Sequence, residues 1–145
     1  MRRGVLIGAA AALVLGGALG CSSGPGPARP EPGAISPGTA QLRIDDRRLD
    51  STAVRCDAID TYTQIHTGDE SSGVTVMLVR ANHPTVEFVR IRNVGGFTGD
   101  YDRGLQGDAA VTMTSATYDI SGVVIGYSQH SNERRSAPFA IRVAC

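Results

Sequence analysis

The side chains able to do chemistry are few and scattered. His66, His83 and His130 sit in separate segments, and none pairs with another ligand type at helical or strand spacing. Zinc sites need several converging ligands, so only the fold could assemble one here. Surface or loop histidines are expected, with no metal and no cofactor. Asp100, Asp102 and Asp108 lie near glycines, but their spacing does not match a calcium-binding EF-hand loop. They read as solvated loop acids. No Gly-x-Ser-x-Gly elbow presents a serine nucleophile. Arg47-Arg48 and Arg134-Arg135 are basic pairs too short for a nucleic-acid patch. No catalytic activity and no nucleic-acid partner are expected.

The cysteines carry more. Met1-Arg2-Arg3 precedes an uncharged run from Gly4 to Gly20, rich in Ala, Gly, Leu and Val. A basic start followed by a short apolar stretch is the pattern of an export signal. The run falls short of the ~20 apolar residues of a comfortable membrane span, and its glycines weaken a helix. An uncleaved N-terminal anchor is the alternative. The run ends Ala18-Leu19-Gly20-Cys21-Ser22-Ser23, which resembles a lipobox, where a cysteine receives a diacylglyceryl thioether and becomes the new N-terminus. The position three before the cysteine is usually Leu; here it is Ala18, with Leu19 next door. One acyl chain holds a protein only marginally to a bilayer, and two or more hold it firmly. Cys21 carrying acyl chains such as palmitate would anchor the chain to the cell membrane on its extracytoplasmic face.

Lipidation of Cys21 also settles the cysteine parity. Of three cysteines, Cys56 and Cys145 remain, and in an oxidising compartment they are expected to pair. Two separate buried thiols are the alternative. The charge balance agrees with an extracytoplasmic domain that avoids nucleic acid. The chain has 14 basic and 14 acidic residues, and loss of Arg2 and Arg3 with the signal leaves it slightly acidic.

These groups need a scaffold, and the chain divides into three parts: a signal over 1–20, a tether over 21–40 and a domain over 41–145. The tether contains Pro25, Pro27, Pro30, Pro32 and Pro37 interleaved with glycines. Such a stretch buries no core and serves as a disordered, semi-extended spacer. Beyond Ala40 the pattern turns to period two. Phe139, Ile141, Val143 and Cys145 share one face while Arg142 points away, and Val54 and Cys56 share a face across Arg55. Both cysteines are therefore expected on inward faces. Val74–Val79 is continuously apolar and reads as a central strand covered on both sides. Val86–Arg92 is rich in β-formers with mixed faces. Val111–Thr114 and Tyr118–Ser121 alternate, and Val123–Tyr127 continues or partners them. Gly68–Gly73, Asn82-His83-Pro84, Gly95-Gly96, Gly99-Asp100 and Asp102–Gly107 read as turns or flexible stretches. Ser128–Ser136 reads as a long polar loop closed by Pro138. Gly95-Gly96-Phe97 reads as a bulge with a core Phe. The expected fold is all-β, a small antiparallel sandwich or curled sheet of about six to eight strands, preceded by a signal helix and the disordered linker.

In order along the chain, the lipobox-like Cys21, the spacer, Val54-Arg55-Cys56, Gly73-Val74-Thr75-Val76, His83-Pro84-Thr85-Val86, Asn93–Phe97, Tyr118–Gly122 and the ending Phe139–Cys145 resemble the mycobacterial 19-kDa (LpqH-type) lipoprotein antigen family. The resemblance spans essentially the whole length. It implies a cell-envelope lipoprotein, exposed to the outside and recognised by the host as an antigen, with no known catalytic activity. The β domain itself is expected to act as a surface interaction module that meets a host receptor or an envelope component, and as a monomer. Family spacers are rich in Thr; here only Ser22, Ser23, Ser36 and Thr39 carry hydroxyls. Two other functions fit an anchored β domain. A lipid or glycolipid carrier would need an apolar pocket, which a domain of this size struggles to enclose. An inhibitor of a wall-degrading enzyme would need a protruding loop, for which Ser128–Ser136 is the candidate.

Overall fold

The computed structural model describes residues 31–145. Cys21, the export signal and the first part of the tether lie outside the described residues. The regular structure described is all strand: β1 (Ala40–Ile44), β2 (Arg47–Ser51), β3 (Val54–Ile59), β4 (Tyr62–Gly68), β5 (Gly73–Val79), β6 (Thr85–Val94), β7 (Phe97–Asp102), β8 (Asp108–Thr114), β9 (Thr117–Ser128) and β10 (Arg135–Ala144). Every pairing is antiparallel, in the order β2-β1-β10-β9-β7-β6-β5-β4-β3, with β8 also on β9. The all-β expectation holds, with ten strands rather than six to eight.

β9 organises the sheet. β10 runs along one side of it, from Gly126 down to Thr117. The other side is shared, with β8 pairing to Thr117–Val123 and β7 to Ile125–Ser128. The sheet thereby divides and curls over an interior filled from both halves. Ile65 on β4, Val89 and Ile91 on β6, Val124 on β9 and Val143 on β10 are each fully buried. Each such side chain contributes roughly 1.5–3 kcal/mol by leaving water. The curl brings the β3 edge to the end of β10, where Cys56 and Cys145 form a disulfide.

Several local readings change. Val74–Val79 is a central strand between β4 and β6, but it is covered on one side only. Val74, Val76 and Leu78 point into the core, while Thr75, Met77 and Val79 are half-buried. The mixed faces of Val86–Arg92 come from a bulge. Met77 pairs with Phe88 but Leu78 pairs with Val86, so Glu87 is extra and both Val86 and Val89 turn inward. Gly99-Asp100 is no flexible stretch. It lies inside β7, where Phe97, Gly99 and Tyr101 face the core. At Gly99 a Cβ would come within 2.6 Å of the Phe97 ring, so the strand needs glycine there. Pro138 does not close a loop but sits within β10. Its carbonyl accepts from the Asp45 amide, just past the end of β1, so its missing N–H falls where the ladder has already ended. Phe97 is a core residue at a register shift, as expected. The cysteines are less enclosed than expected: Cys56 is half-buried against the core and Cys145 is exposed at the rim.

The tether's last residues lie against the domain. The Gly38 amide donates to the Ala144 carbonyl and the Ala144 amide donates to the Thr39 carbonyl, both at 3.0 Å. The Ile35 amide donates to Thr117 Oγ1 at 3.1 Å, and the Ser115 hydroxyl bonds the Glu31 carboxylate. The chain therefore enters at the end of the sheet that holds the β8–β9 turn, the start of β1 and the disulfide.

Candidate functional site

The opposite end of the sheet is built from turns. β1 runs away from the entry point to a turn at Asp45-Asp46. β6 and β7 meet at Gly95-Gly96, and β9 ends in the Gln129–Arg134 connection to β10. Along β9, with twelve residues, the distal end lies up to roughly 35–40 Å from Thr117 at ~3.3 Å per residue, while the Asp45 turn lies about 17 Å beyond Ala40 at the end of five-residue β1.

An ion pair binds the turns together. Arg135, at the start of β10, donates from one terminal nitrogen to Asp45 Oδ2 at 2.7 Å and from the other to Oδ1 at 3.4 Å. Its Nε donates to Ser128 Oγ at 2.9 Å, and its guanidinium lies 4.8 Å from the centroid of the Phe97 ring. The two charges are about one-third exposed, so the pair acts mainly through geometry, the planar fork being matched to a carboxylate. The hydrogen bond that Arg135 donates to Asp45 raises the Arg135 pKa, burial opposes this, and the carboxylate charge adds to it. Asp45 itself has φ 51°, a left-handed conformation uncommon outside glycine and the short polar residues. A second tie is the Gln129 amide, which donates to the Gly96 carbonyl at 2.6 Å.

Two adjoining clefts open here. One, of about 440 Å³, lies between Asp45, Arg47, Gly95, Phe97, His130 and Arg135. Arg47 makes no ion pair among the described residues. The other, of about 660 Å³, is a shallow groove between Asn93, Thr98, Tyr127, Gln129 and Asn132. They share Gly96, Ser128, Gln129 and Ser131. The site thus has a charged half and an uncharged half.

The residues singled out from sequence do not converge. His66 Nδ1 lies 3.2 Å from the Thr75 hydroxyl on β5, His83 is exposed between β5 and β6, and only His130 reaches the distal cleft. Among the described residues, no three His, Cys, Asp or Glu side chains are grouped to hold a metal. Asp100 and Asp102 are strand residues rather than solvated loop acids. Arg90 bonds Asp102 at 2.6 Å and Arg92 bonds Asp100 at 2.8 Å, forming a ladder on the outer face of β6 and β7. Asp108 begins β8. Of the basic pairs, Arg135 is committed to Asp45 and Arg134 to Gln106. The polar stretch from Ser128 contributes to the site as an exposed connection whose first residue, Gln129, is tied to Gly96. Tyr127, Asn93 and Asp45 were not anticipated; the one available signal was Asp45-Asp46, a turn-type pair between two short polar-apolar alternations.

An apolar cleft between Leu78, Val79, Pro84, Met113 and Tyr118 is about 220 Å³, below the ~300–1,000 Å³ usual for ligand pockets.

The described residues form a disulfide-closed β domain, entered at one end and bearing two adjoining polar clefts at the other. Comparison with known proteins supplies the family. Residues 33–145 match the family model described as Mycobacterium 19 kDa lipoprotein antigen. Lipoprotein LpqH of Mycobacterium tuberculosis is 31% identical across 100% of this chain and 99% of its own length. A putative lipoprotein of Mycobacterium indicus pranii is 35% identical over 74% of this chain and 78% of its own, and one of Mycobacterium avium subsp. hominissuis is 32% identical over 74% and 76%. The chain belongs to the mycobacterial 19-kDa lipoprotein antigen family and is a cell-envelope lipoprotein.

Proposed function

We propose that this protein is a non-catalytic docking module, held on the extracytoplasmic face of the cell membrane by acyl chains on Cys21, which presents its distal turns to an envelope component or a host receptor. One observation carries the reading: the chain enters the domain beside Thr117 and Ala144, while the polar clefts lie at the far ends of β1, β9 and β10. An anchor at one end leaves the other facing outward. The filled core and the small volume of the apolar cleft weigh against a lipid carrier.

A masking experiment tests this. A polyethylene glycol chain is attached to the full-length protein at Ser131→Cys, in the distal connection, or at Ala116→Cys, beside the entry point. Adsorption to isolated cell walls and to host-cell membranes is then measured. Masking at 131 should abolish adsorption and masking at 116 should leave it unchanged. Equal effects at both positions would refute the orientation.

A further inference from the structure

We infer that the uncharged half of the distal site is a subsite for a neutral carbohydrate chain; this rests on the docking reading above and names its ligand class. The groove is lined by Asn93, Thr98, Tyr127, Gln129, Ser131 and Asn132, with Gly96 and Ser128. No charged side chain contributes, although the chain carries 28 charged residues among 145. The surface elsewhere is dense with ion pairs, including the ladder of Arg90, Arg92, Asp100 and Asp102 close by on the same two strands. Among the described residues, the other clefts each include a charged side chain, and this one does not.

Its composition matches a sugar. A pyranose or furanose ring offers an apolar C–H face and a rim of hydroxyls that both donate and accept. Tyr127 supplies the apolar partner: it lies at the distal end of β9 on the outer face, paired across the ladder with Thr98, and is 47% exposed. Burying an exposed aromatic face against apolar C–H groups is favourable, while the phenol hydroxyl stays available to bond. Carboxamides supply the rim, since each holds two donors and an acceptor in one plane. Among the described residues, the Gln129 and Asn132 side chains and the Tyr127 hydroxyl make no intramolecular hydrogen bond, whereas Thr98 Oγ1 already accepts from the Asn93 amide at 2.9 Å and Ser128 Oγ accepts from Arg135. The free groups thus surround the ring, and the occupied ones fix its walls.

The groove is also held in shape before any ligand arrives. Gln129 is tied through its backbone to Gly96, and Asn93 is held by Thr98 and by Ser72, whose hydroxyl donates to the Asn93 carbonyl at 2.9 Å. Pre-organisation reduces the ordering cost that otherwise weakens sugar binding. A shallow, open groove suits the middle of a chain better than a single enclosed sugar. An acidic polysaccharide would gain nothing in this half, where no cation is present, and would be drawn instead to Arg47 in the adjoining cleft.

Binding of the full-length protein in detergent to a mannan, a glucan, an arabinan and a galactan, with an acidic polysaccharide as contrast, tests the inference. Affinity electrophoresis gives the retardation, and intrinsic fluorescence gives a second readout, since the chain has four Tyr and no Trp. At least one neutral polysaccharide should bind, and its binding should depend on Tyr127 while any binding of the acidic one should not. Tyr127→Ala should weaken it about tenfold, Tyr127→Phe should largely retain it, and Tyr62→Ala, at an exposed tyrosine on β4, should leave it unchanged. Binding of no neutral polysaccharide, or equal binding of the neutral polysaccharide by Tyr127→Ala, would overturn the subsite. If masking at Ser131 still blocked adsorption to walls or host membranes, docking would stand and only the ligand class would fall. Unaltered melting of each variant excludes misfolding as the cause.

Discussion

Arg135 reaches Asp45 across a sequence separation of 90 residues and, in doing so, lies over the ring of Phe97. One guanidinium thereby joins the β1–β2 turn, the start of β10 and the first residue of β7. These distal turns form a single unit, and the clefts between them inherit that geometry.

A double-mutant cycle should detect the coupling. Asp45→Ala and Arg135→Ala are each expected to lower stability, with a coupling of about 0.5–1 kcal/mol because both charges are partly exposed. Urea unfolding measures it. Strictly additive effects would mean that the pair does not bind the turns together.

The disulfide should matter more to stability than any polar contact at the distal end. Cys56 and Cys145 close a loop across a separation of 89 residues, for which loop entropy gives an upper value of about 4–5 kcal/mol. Cys145→Ser should therefore lower the denaturation midpoint by a few kcal/mol equivalent, and labelling with a thiol reagent should require prior reduction of the native protein. Prompt labelling without reductant would contradict the bond.

Acid should loosen the β4–β5 turn before the core. Asp69 Oδ1 accepts from the Ser71 hydroxyl at 2.6 Å and from the Ser71 and Ser72 amides at 2.8 and 3.0 Å. These bonds, the Ser71 hydroxyl first, hold its carboxyl below the usual carboxylate range. A depressed folded pKa means that the turn's stabilisation is present above the unfolded value and is lost as pH falls through the folded one. The protection of the Ser71 and Ser72 amides, taken relative to their intrinsic exchange rates, should fall only in that acidic window, and Asp69→Asn should remove this change in protection.

How legible the sequence was depends on whether one face of a strand carries the apolar residues. Phe139–Val143 was readable because Phe139, Ile141 and Val143 alternate with Ala140 and Arg142. β2 was not, because Arg47–Ser51 is an edge strand with almost no buried side chain and so leaves no apolar stripe. β7 was hidden because Gly99 fills an inward position and Asp100 and Asp102 face outward to Arg90 and Arg92, which together read as a turn. The bulge at Glu87 scrambled β6. The distal site was illegible for a different reason: Asp45, Asn93, Tyr127 and Arg135 meet only through the pairing of β1, β6, β7, β9 and β10, and that order is written in long-range contacts rather than local pattern.

The anchor has its own test. Cys21→Ala should abolish acylation, so that the protein is either released or retained with its signal uncleaved. Mass spectrometry of the N-terminal peptide, together with detergent phase partitioning, reads both. Normal cleavage with unchanged partitioning would contradict lipidation at Cys21.

The central claim is that recognition occurs at the end of the sheet remote from the tether. Nuclear magnetic resonance of the isotopically labelled full-length protein in micelles, titrated with solubilised cell-wall fragments and then with host-membrane extract, tests it residue by residue. The account predicts that amide shifts move at Asn93–Thr98 and Tyr127–Arg135 and stay fixed at Glu31–Thr39 and the β8–β9 turn. Shifts confined to the tether side or to the outer face of β8, with the distal turns unperturbed, would contradict it.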